Sequence, residues 1–375
     1  MRNLWTTPTL CLLLLVAFSP SLTGTNNNAT SAYFPAEDLT PRLSNIRTII
    51  QGDYDDEVMG YLRGYLLHSY DTQKLLGTAE FYFPLFEHYL KLYKLPLELK
   101  FIPVIESRLR PYASSTAGAA GLWQFTSTTA KYRGLQINSK IDERKDAHKS
   151  TRAAAKYFAY LYERFGTWDM AMAAYNCGER RLSKAIVAAR SKDFKKVRKY
   201  LPLETQRYIP KFLAAQYICT YYLEHQLYPV YSDAAMRNTK TIRVFDAHSF
   251  IKIAEETGVS LFTLKTLNPA YNGYHLPASK KGNFIVLPHR AYPAFLKAHP
   301  HEPGLSAMAQ AIKKSYSMTT WTVQCGSTLE KLARLCGCSK ADIMRWNNLK
   351  TGELYYQQEL IIYYPTPTVS SGLRA

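Results

Sequence analysis

Between residue 52 and about residue 230 the apolar positions recur every three or four residues, the period of helices buried along one face. Residues 55–76 carry a Tyr/Leu pattern that predicts one long helix, and 78–93 a second with Phe81, Leu85, Tyr89 and Leu92 on one side. Pro96 can open a third helix in its first turn, whereas Pro103 falls inside that helix and predicts a kink. Residues 126–132 read as a short helix, 141–146 as a polar loop, and 151–165 as a helix that buries Ala154, Tyr157, Phe158, Leu161 and Phe165 and stops at Gly166. Helices over 168–175, 179–190 and 204–226 complete the stretch, the last with Pro210 near enough to its start to be tolerated. No convincing strand interrupts them, so residues 52–232 predict one all-α domain, preceded by a leader over 25–51.

The pattern changes near Tyr231. A strand over 241–245, helices over 250–257 and 261–267 and a strand over 283–287 make a β-α-α-β unit at 240–290. After a connector, 291–318, the order repeats: strand 320–323, helices 328–336 and 339–346, strand 359–363. A unit repeated in the same order indicates an internal duplication, the second copy spanning 319–365 before a tail over 366–375. The predicted fold class is thus mainly α: an all-α domain followed by two small βααβ modules.

The candidate chemistry centres on residues 101–125. Leu99, Ile102, Glu106 and Leu109 share a helix face; three are apolar, which puts the Glu106 carboxylate on the side facing the core. A carboxyl group in apolar surroundings resists ionisation, as a general acid at neutral pH requires. Ala117-Gly-Ala-Ala-Gly121 then offers bare backbone, followed by Trp123 as a stacking ring and Gln124 as a bidentate amide. Each piece also has a plain structural reading: a helix-end Glu, tight turns, a core Trp.

A net charge of +18 favours acidic partners. At the N-terminus, Arg2 precedes an apolar run from Leu10 to Phe18, too short to span a bilayer and followed by small and polar residues; residues 1–24 read as a secretory signal peptide. Cys11 begins that run rather than following it, which argues against a lipoprotein anchor. Secretion to the periplasm or cell envelope disfavours nucleic acid and points to an acidic envelope polymer, and no later segment is long enough for an integral membrane span. Outside the leader stand Cys177, Cys219, Cys325, Cys336 and Cys338, an odd number that leaves at least one thiol without an intramolecular disulfide partner.

Glu106-Ser, Ala113-Ser and Gly118-Ala-Ala-Gly-Leu-Trp-Gln124 together resemble the catalytic motif of the lytic transglycosylases of goose-type lysozyme fold, in particular the membrane-bound transglycosylase D subgroup. Ala173-Ala-Tyr-Asn-Cys-Gly178 and Glu204-Thr-Gln-Arg-Tyr208 resemble two further signatures of that family, in the same order. The resemblance implies Glu106 as catalytic residue and Ser115, Gln124, Tyr175, Asn176, Glu204 and Tyr208 as substrate-binding residues. A turn hydroxyl at Ser115, a C-cap at Tyr175–Gly178, a core tyrosine at 208 and a helix-start Glu at 204 are the structural alternatives. The second βααβ copy resembles the LysM module, which binds N-acetylglucosamine-containing glycans: Trp321-Thr-Val-Gln-Cys-Gly-Ser-Thr-Leu329 matches its opening, with Cys325 and Ser327 as departures. Gly326, Ser327, Thr328 and Asn347 are its implied glycan-binding positions. The first copy keeps Ile253-Ala254, Leu264 and Asn268-Pro269 but lacks the Gly-Asp-Thr turn, and reads as degenerate.

Most glycosidases use two carboxylates across the bond. Between Glu106 and Gln124 there is no second acid; Asp142, Glu143, Asp146 and Glu204 qualify only if the fold brings them close. The family scheme needs one: Glu106 protonates the oxygen between N-acetylmuramic acid and N-acetylglucosamine, then takes the proton from the muramoyl C6 hydroxyl as it closes on C1. The resemblance implies no metal and no cofactor, and peptidoglycan glycan strands as partner; the oligomeric state is not fixed by the sequence, a monomer being the expectation. The rival readings are a goose-type muramidase that hydrolyses the same bond, and a non-catalytic peptidoglycan-binding protein.

Overall fold

The computed structural model describes residues 42–43, 46, 48–50, 55–230, 239–300, 316–323, 328–336, 339–347, 349–355 and 358–365. The expected signal peptide and tail, nearly all of the leader, most of the connector, and Gly326 and Ser327 lie outside the described residues. The chain divides into two compact units, one running to Ile242 and including Asp246–Tyr292, the other formed by Arg243–Phe245 and the residues from Pro293 on.

The first unit begins with α1 (Asp55–Leu67) and α2 (Ser69–Leu92). The break falls at His68, not at Gly77, which is buried inside α2 between Leu76 and Ala79. A helical glycine costs about 1 kcal/mol, less than the burial of the flanking apolar residues returns. Pro103 does not kink a helix. A 3-10 turn, Leu97–Phe101, hands over to α3 (Ile102–Ser107), and Pro103 occupies the first turn of α3, where no N–H is needed. Helix α3 is stopped after two turns by Arg108 and Leu109, both left-handed at φ 50° and 57°, with the Leu109 N–H closing back on the Pro103 carbonyl.

Next come α4 (Ser127–Tyr132), α5 (Ala147–Phe165), α6 (Trp168–Cys177), α7 (Glu179–Ala189) and a short α8 (Phe194–Arg198) that the periodicity did not reveal. Helix α5 starts four residues earlier than expected because Asp146 caps it, accepting from the Lys149 N–H at 2.8 Å; it ends at Gly166, φ 84°. The segment expected to be one helix from 204 is two, α9 (Leu203–Gln206) and α10 (Tyr208–Tyr221). Pro210 has no N–H for the Gln206 carbonyl, and the Arg198 Nε donates to that carbonyl instead, at 2.9 Å. The break at Arg207 follows from that proline. Trp123, fully buried, packs against Phe86 and Phe158 at 5.4 and 6.3 Å and donates its Nε1–H to Thr151. It is a core residue and offers no ring to a sugar.

Apart from Arg243–Phe245, the first βααβ copy belongs to this unit. β1 (Thr239–Val244) pairs with β4 (Asn283–Pro288) around α11 (Phe250–Thr257) and α12 (Leu261–Leu267), with an unanticipated short antiparallel pair, β2 (His248–Ser249) and β3 (His275–Leu276). It is fastened to the 136–149 stretch by Asp142 N–H to Ala270 O at 2.8 Å, Asn272 N–H to Lys140 O at 3.0 Å, and Lys149 Nζ to Asn283 Oδ1 at 2.7 Å.

In the second unit, α13 (Tyr292–Ala298) precedes β5 (Tyr316–Thr322), α14 (Leu329–Cys336), α15 (Lys340–Asn347) and β6 (Glu359–Pro365), with β5 antiparallel to β6 from Tyr316 opposite Pro365 to Thr322 opposite Glu359. Val323, Leu329, Leu332, Ile343, Leu360 and Ile362 form its core.

One polar device repeats in both copies. The Asn268 amide donates to the Leu264 and Val286 carbonyls and accepts from the Val286 N–H, each at 2.8 Å. Asn347 does the same with Ile343 and Ile361, at 2.9, 2.8 and 2.6 Å. The asparagine that ends the second helix therefore ties that helix to the last strand, and the duplication extends to hydrogen bonds. Asn347→Ala leaves the Ile361 N–H and two carbonyls without these partners, and we expect it to destabilise the second module by about 1–3 kcal/mol, read as a lower urea midpoint for the Trp321 and Trp346 fluorescence transition.

Candidate active site

Helix α3 carries Glu106 and the buried Ile102; Leu99 lies in the preceding 3-10 turn and Leu109 beyond the left-handed stop, so the four residues are not on one helix face as their spacing predicted, although the three apolar ones are buried. The Glu106 Oε1 accepts from the Tyr208 hydroxyl at 2.5 Å. Tyr208 starts α10, so the restart of the chain after Arg207 is what brings this phenol to the acid. Burial pushes the Glu106 carboxyl up to about 7; the Tyr208 hydrogen bond pulls it down, the negative charge of Glu204 raises it, and the positive charge of Lys211 lowers it. Near neutrality the group is divided between acid and base forms. Burial, with Glu106 adding to it, holds both Tyr208 and Tyr175 well above ordinary phenols, so both stay protonated donors.

The remaining residues sit around this pair. Tyr175, near the end of α6, stacks on Phe158 at 4.5 Å and donates to the Trp123 carbonyl at 2.7 Å, close enough for the Glu106 charge to act on it. Asn176 accepts from the Thr205 hydroxyl at 2.8 Å, which links the end of α6 to the residue after Glu204. Gly178 closes α6 at φ 89° and ψ 145°, an extended positive-φ conformation rather than the left-handed cap its position suggested. The Ser107 hydroxyl, beside the acid, donates to the Leu122 carbonyl at 3.0 Å and fixes α3 to the glycine-rich loop. In that loop Ser115 accepts from the Ala119 N–H at 3.0 Å, and Gln124, left-handed at φ 48°, donates its Nε2 to Gly121 and Ala113 carbonyls. The Ser115 hydroxyl thus holds a turn, and Gln124 turns its amide nitrogen to the loop.

Of the other carboxylates weighed as partners, Asp142 is paired with Arg144 at 2.8 Å, Glu143 accepts from Lys149 and from the Gln136 N–H, and Asp146 caps α5. Only Glu204 acts on Glu106 appreciably. The 141–146 segment is not the solvated loop its composition suggested: Asp142, Glu143, Arg144 and Asp146 are all buried. Sequence reading also passed over Thr205, Ser107 and Lys211; Thr205 and Ser107 lie inside quoted motifs, and Lys211 falls one helical turn beyond Tyr208.

A cavity of about 370 Å³ opens elsewhere in the same unit, between α2, the Arg108–Tyr112 turn and residues 266–271, and Glu106 does not line it. In the second unit, Thr328 accepts from the Lys331 N–H at 3.2 Å as the cap of α14, and Asn347 is taken up by the strand tie described above. Cys177 and Cys219 are free thiols, and the other four cysteines are not among the residues whose side chains are described. No helix among the described residues is long and apolar enough to cross a membrane.

These protonation states have measurable consequences. Removing the hydroxyl in Tyr208→Phe deletes an interaction that favours the carboxylate, so the Glu106 titration followed by carboxyl NMR is expected to move above 7. The folded-state pKa already exceeds the ordinary 4.5, so the native state is at its best below that value and loses stability as pH rises toward 7. Glu106→Gln removes that loss: the stability gained over the parent chain should be absent at pH 4, grow through pH 7 and reach about 1–3 kcal/mol, by denaturant melts across that range.

Parts of the chain are similar to known proteins. Residues 85–198 match the transglycosylase SLT domain, 238–301 the LysM-like domain of lytic transglycosylase MltD, and 322–362 the LysM domain. The membrane-bound lytic murein transglycosylase D of Escherichia coli is 31% identical over 275 residues, 72% of this chain and 60% of that protein, so the chain spans less than two thirds of its relative's length. The peptidoglycan transglycosylase gp16 of Escherichia phage T7 is 40% identical over 89 residues, 23% of this chain and 7% of its own. Among solved structures, the 70 kDa soluble lytic transglycosylase of Escherichia coli aligns over 38% of this chain and 24% of its own at 23% identity, TM-score 0.32. The chain is a homologue of the membrane-bound lytic murein transglycosylase D, carrying an SLT transglycosylase domain followed by an MltD-type LysM-like domain and a LysM domain.

Proposed function

We propose that this protein is an envelope lytic transglycosylase that cleaves the N-acetylmuramic acid–N-acetylglucosamine bond of peptidoglycan without water, releasing 1,6-anhydro-muropeptides. The observation that carries the reading is Glu106 itself: one carboxyl group held near pKa 7, with its Oε1 engaged by a tyrosine that stays protonated. Because Tyr208 donates to Oε1, the transferable proton of the acid form resides on Oε2. Oε2 protonates the glycosidic oxygen as the C1–O bond breaks, and the leaving sugar departs with its hydroxyl restored. The carboxylate so formed accepts the muramoyl C6 hydroxyl proton while that oxygen bonds to C1, which returns Glu106 to its starting state. A group with a pKa near ambient pH suits both transfers, and intramolecular closure supplies high effective molarity without a second carboxylate to activate water. The engagement of Asp142, Glu143 and Asp146 in other bonds supports the one-carboxylate scheme.

In this reading Gln124 and Tyr175 with Asn176 meet the sugar N-acetyl and hydroxyl groups, Glu204 and Tyr208 tune the acid, and Ser115 shapes the loop. The LysM domain holds glycan, and the net charge of +18 adds salt-sensitive attraction to acidic stem peptides. The N-terminal residues direct export; residues 52–232 cut, with 240–290 fastened to them, and 319–365 hold the glycan.

Mass spectrometry of muropeptides released from purified sacculi tests the proposal. Products lighter by one water than the hydrolysis products support it, and products with a free reducing end would mark a muramidase instead. Glu106→Gln is expected to lower release by about 10²–10⁴-fold while sedimentation with sacculi persists; unchanged release would remove Glu106 from the reaction and leave a binding protein.

A further inference from the structure

Arg144 lies outside every motif that pointed to function, yet it is buried and its guanidinium is fully engaged. Asp142 grips it from one side, Oδ1 to Nε at 2.9 Å and Oδ2 to Nη2 at 2.8 Å, a fork-to-fork pair. On the other side Nη1 donates to the Gly118 carbonyl at 2.6 Å and the Phe125 carbonyl at 3.2 Å. Those carbonyls stand near the two ends of the glycine-rich loop. A second contact confirms the fit: a Cβ on Gly121, φ 84°, would lie 1.8 Å from the Arg144 carbonyl oxygen. The loop backbone is pressed directly onto this residue. The same loop is joined to α3, the helix that carries Glu106, by Ser107 at Leu122 and to the end of α6 by Tyr175 at Trp123. Asp142 is in turn anchored through its own N–H to Ala270 of the first βααβ copy.

We propose that Arg144 is a positioning residue of the catalytic centre: clamped by Asp142, it holds the Gly118 and Phe125 carbonyls and thereby sets the glycine-rich loop beside α3, the helix that carries Glu106. The first βααβ copy, which lacks the glycan-binding turn, supports this clamp from behind through Ala270. The cost of burying the pair is offset because every charged atom named here has a partner, and a planar fork is needed to satisfy Asp142 and two carbonyls at once. Lysine offers one nitrogen and cannot span them.

The assignment of the loop to catalysis rests on the proposed function, so the test has one readout independent of activity. Amide hydrogen exchange is measured on the full chain at Ala120, Gly121 and Gln124, whose N–H groups bond to Phe125, Ala113 and Gly121. In Arg144→Lys these amides are expected to exchange at least about tenfold faster while amides of α5 and α10 keep their rates. On sacculi, kcat per folded molecule should fall about 10–100-fold with little change in KM and an unshifted pH midpoint, because the acid is intact and only its alignment is lost. Asp142→Asn, which keeps the shape and loses one charge, should show the same pattern more weakly and serves if Arg144→Lys does not fold. Unchanged loop exchange, or uniformly faster exchange across the unit, overturns the proposal. Faster loop exchange with kcat within about twofold of the parent overturns the catalytic assignment of the loop. A parent chain inert on sacculi refutes the function while the exchange data still judge the clamp.

Discussion

The structure turns on a single half-buried carboxyl group to which a tyrosine donates. Burial alone would drive Glu106 so far toward the neutral form that it could not act as a base; an exposed glutamate would be ionised and could not act as an acid. The Tyr208 hydrogen bond and the Lys211 charge lower the pKa while burial and Glu204 raise it, and the balance settles near 7. Much of the nearby architecture serves that balance. Helix α3 is only six residues long and ends in two consecutive left-handed residues, which turn the chain away from the carboxyl group. Helix α10 begins anew after Arg207, so its first residue can face the acid.

A second constraint is that the loop next to the acid has little side-chain bulk of its own. Ala117–Gly121 cannot hold its shape by packing, because alanine and glycine bring few contacts. Its form is imposed by hydrogen bonds from outside: Ser107 at Leu122, Tyr175 at Trp123, Arg144 at Gly118 and Phe125, and the Ser115 turn within. Trp123 pins the middle of the stretch to the core. A loop bare enough for a polymer to approach is rigid because its neighbours, several of them buried and charged, make it so.

The two βααβ copies show what survives when a repeated unit diverges. Asn268 and Asn347 keep the same three hydrogen bonds although the strands they tie lie 18 and 14 residues away in sequence. A buried amide that leaves its partners unsatisfied when replaced is under a fold constraint whatever the module binds. The first copy lacks the Gly-Asp-Thr turn and is hydrogen-bonded to residues 140–149.

Local information sufficed where neighbouring residues decide the outcome. The stop at Gly166, the boundaries of α11 and α12, and the repeated βααβ order are all legible from periodicity and capping chemistry. Residues distant in the chain decided the rest. The acidic-basic run at 141–146 has the composition of a solvated loop, and only the arrival of Gly118, Phe125 and Ala270 around it makes a buried clamp. Gly77 stays helical because its neighbours are buried, and the helix after 203 breaks because Arg198 captures a carbonyl that Pro210 leaves open. The sequence by itself pointed to Glu106, the family motifs and the order of elements. Tertiary structure alone decided the acid's pKa and the loop's support, because both depend on desolvation and hydrogen bonds between segments up to about a hundred residues apart.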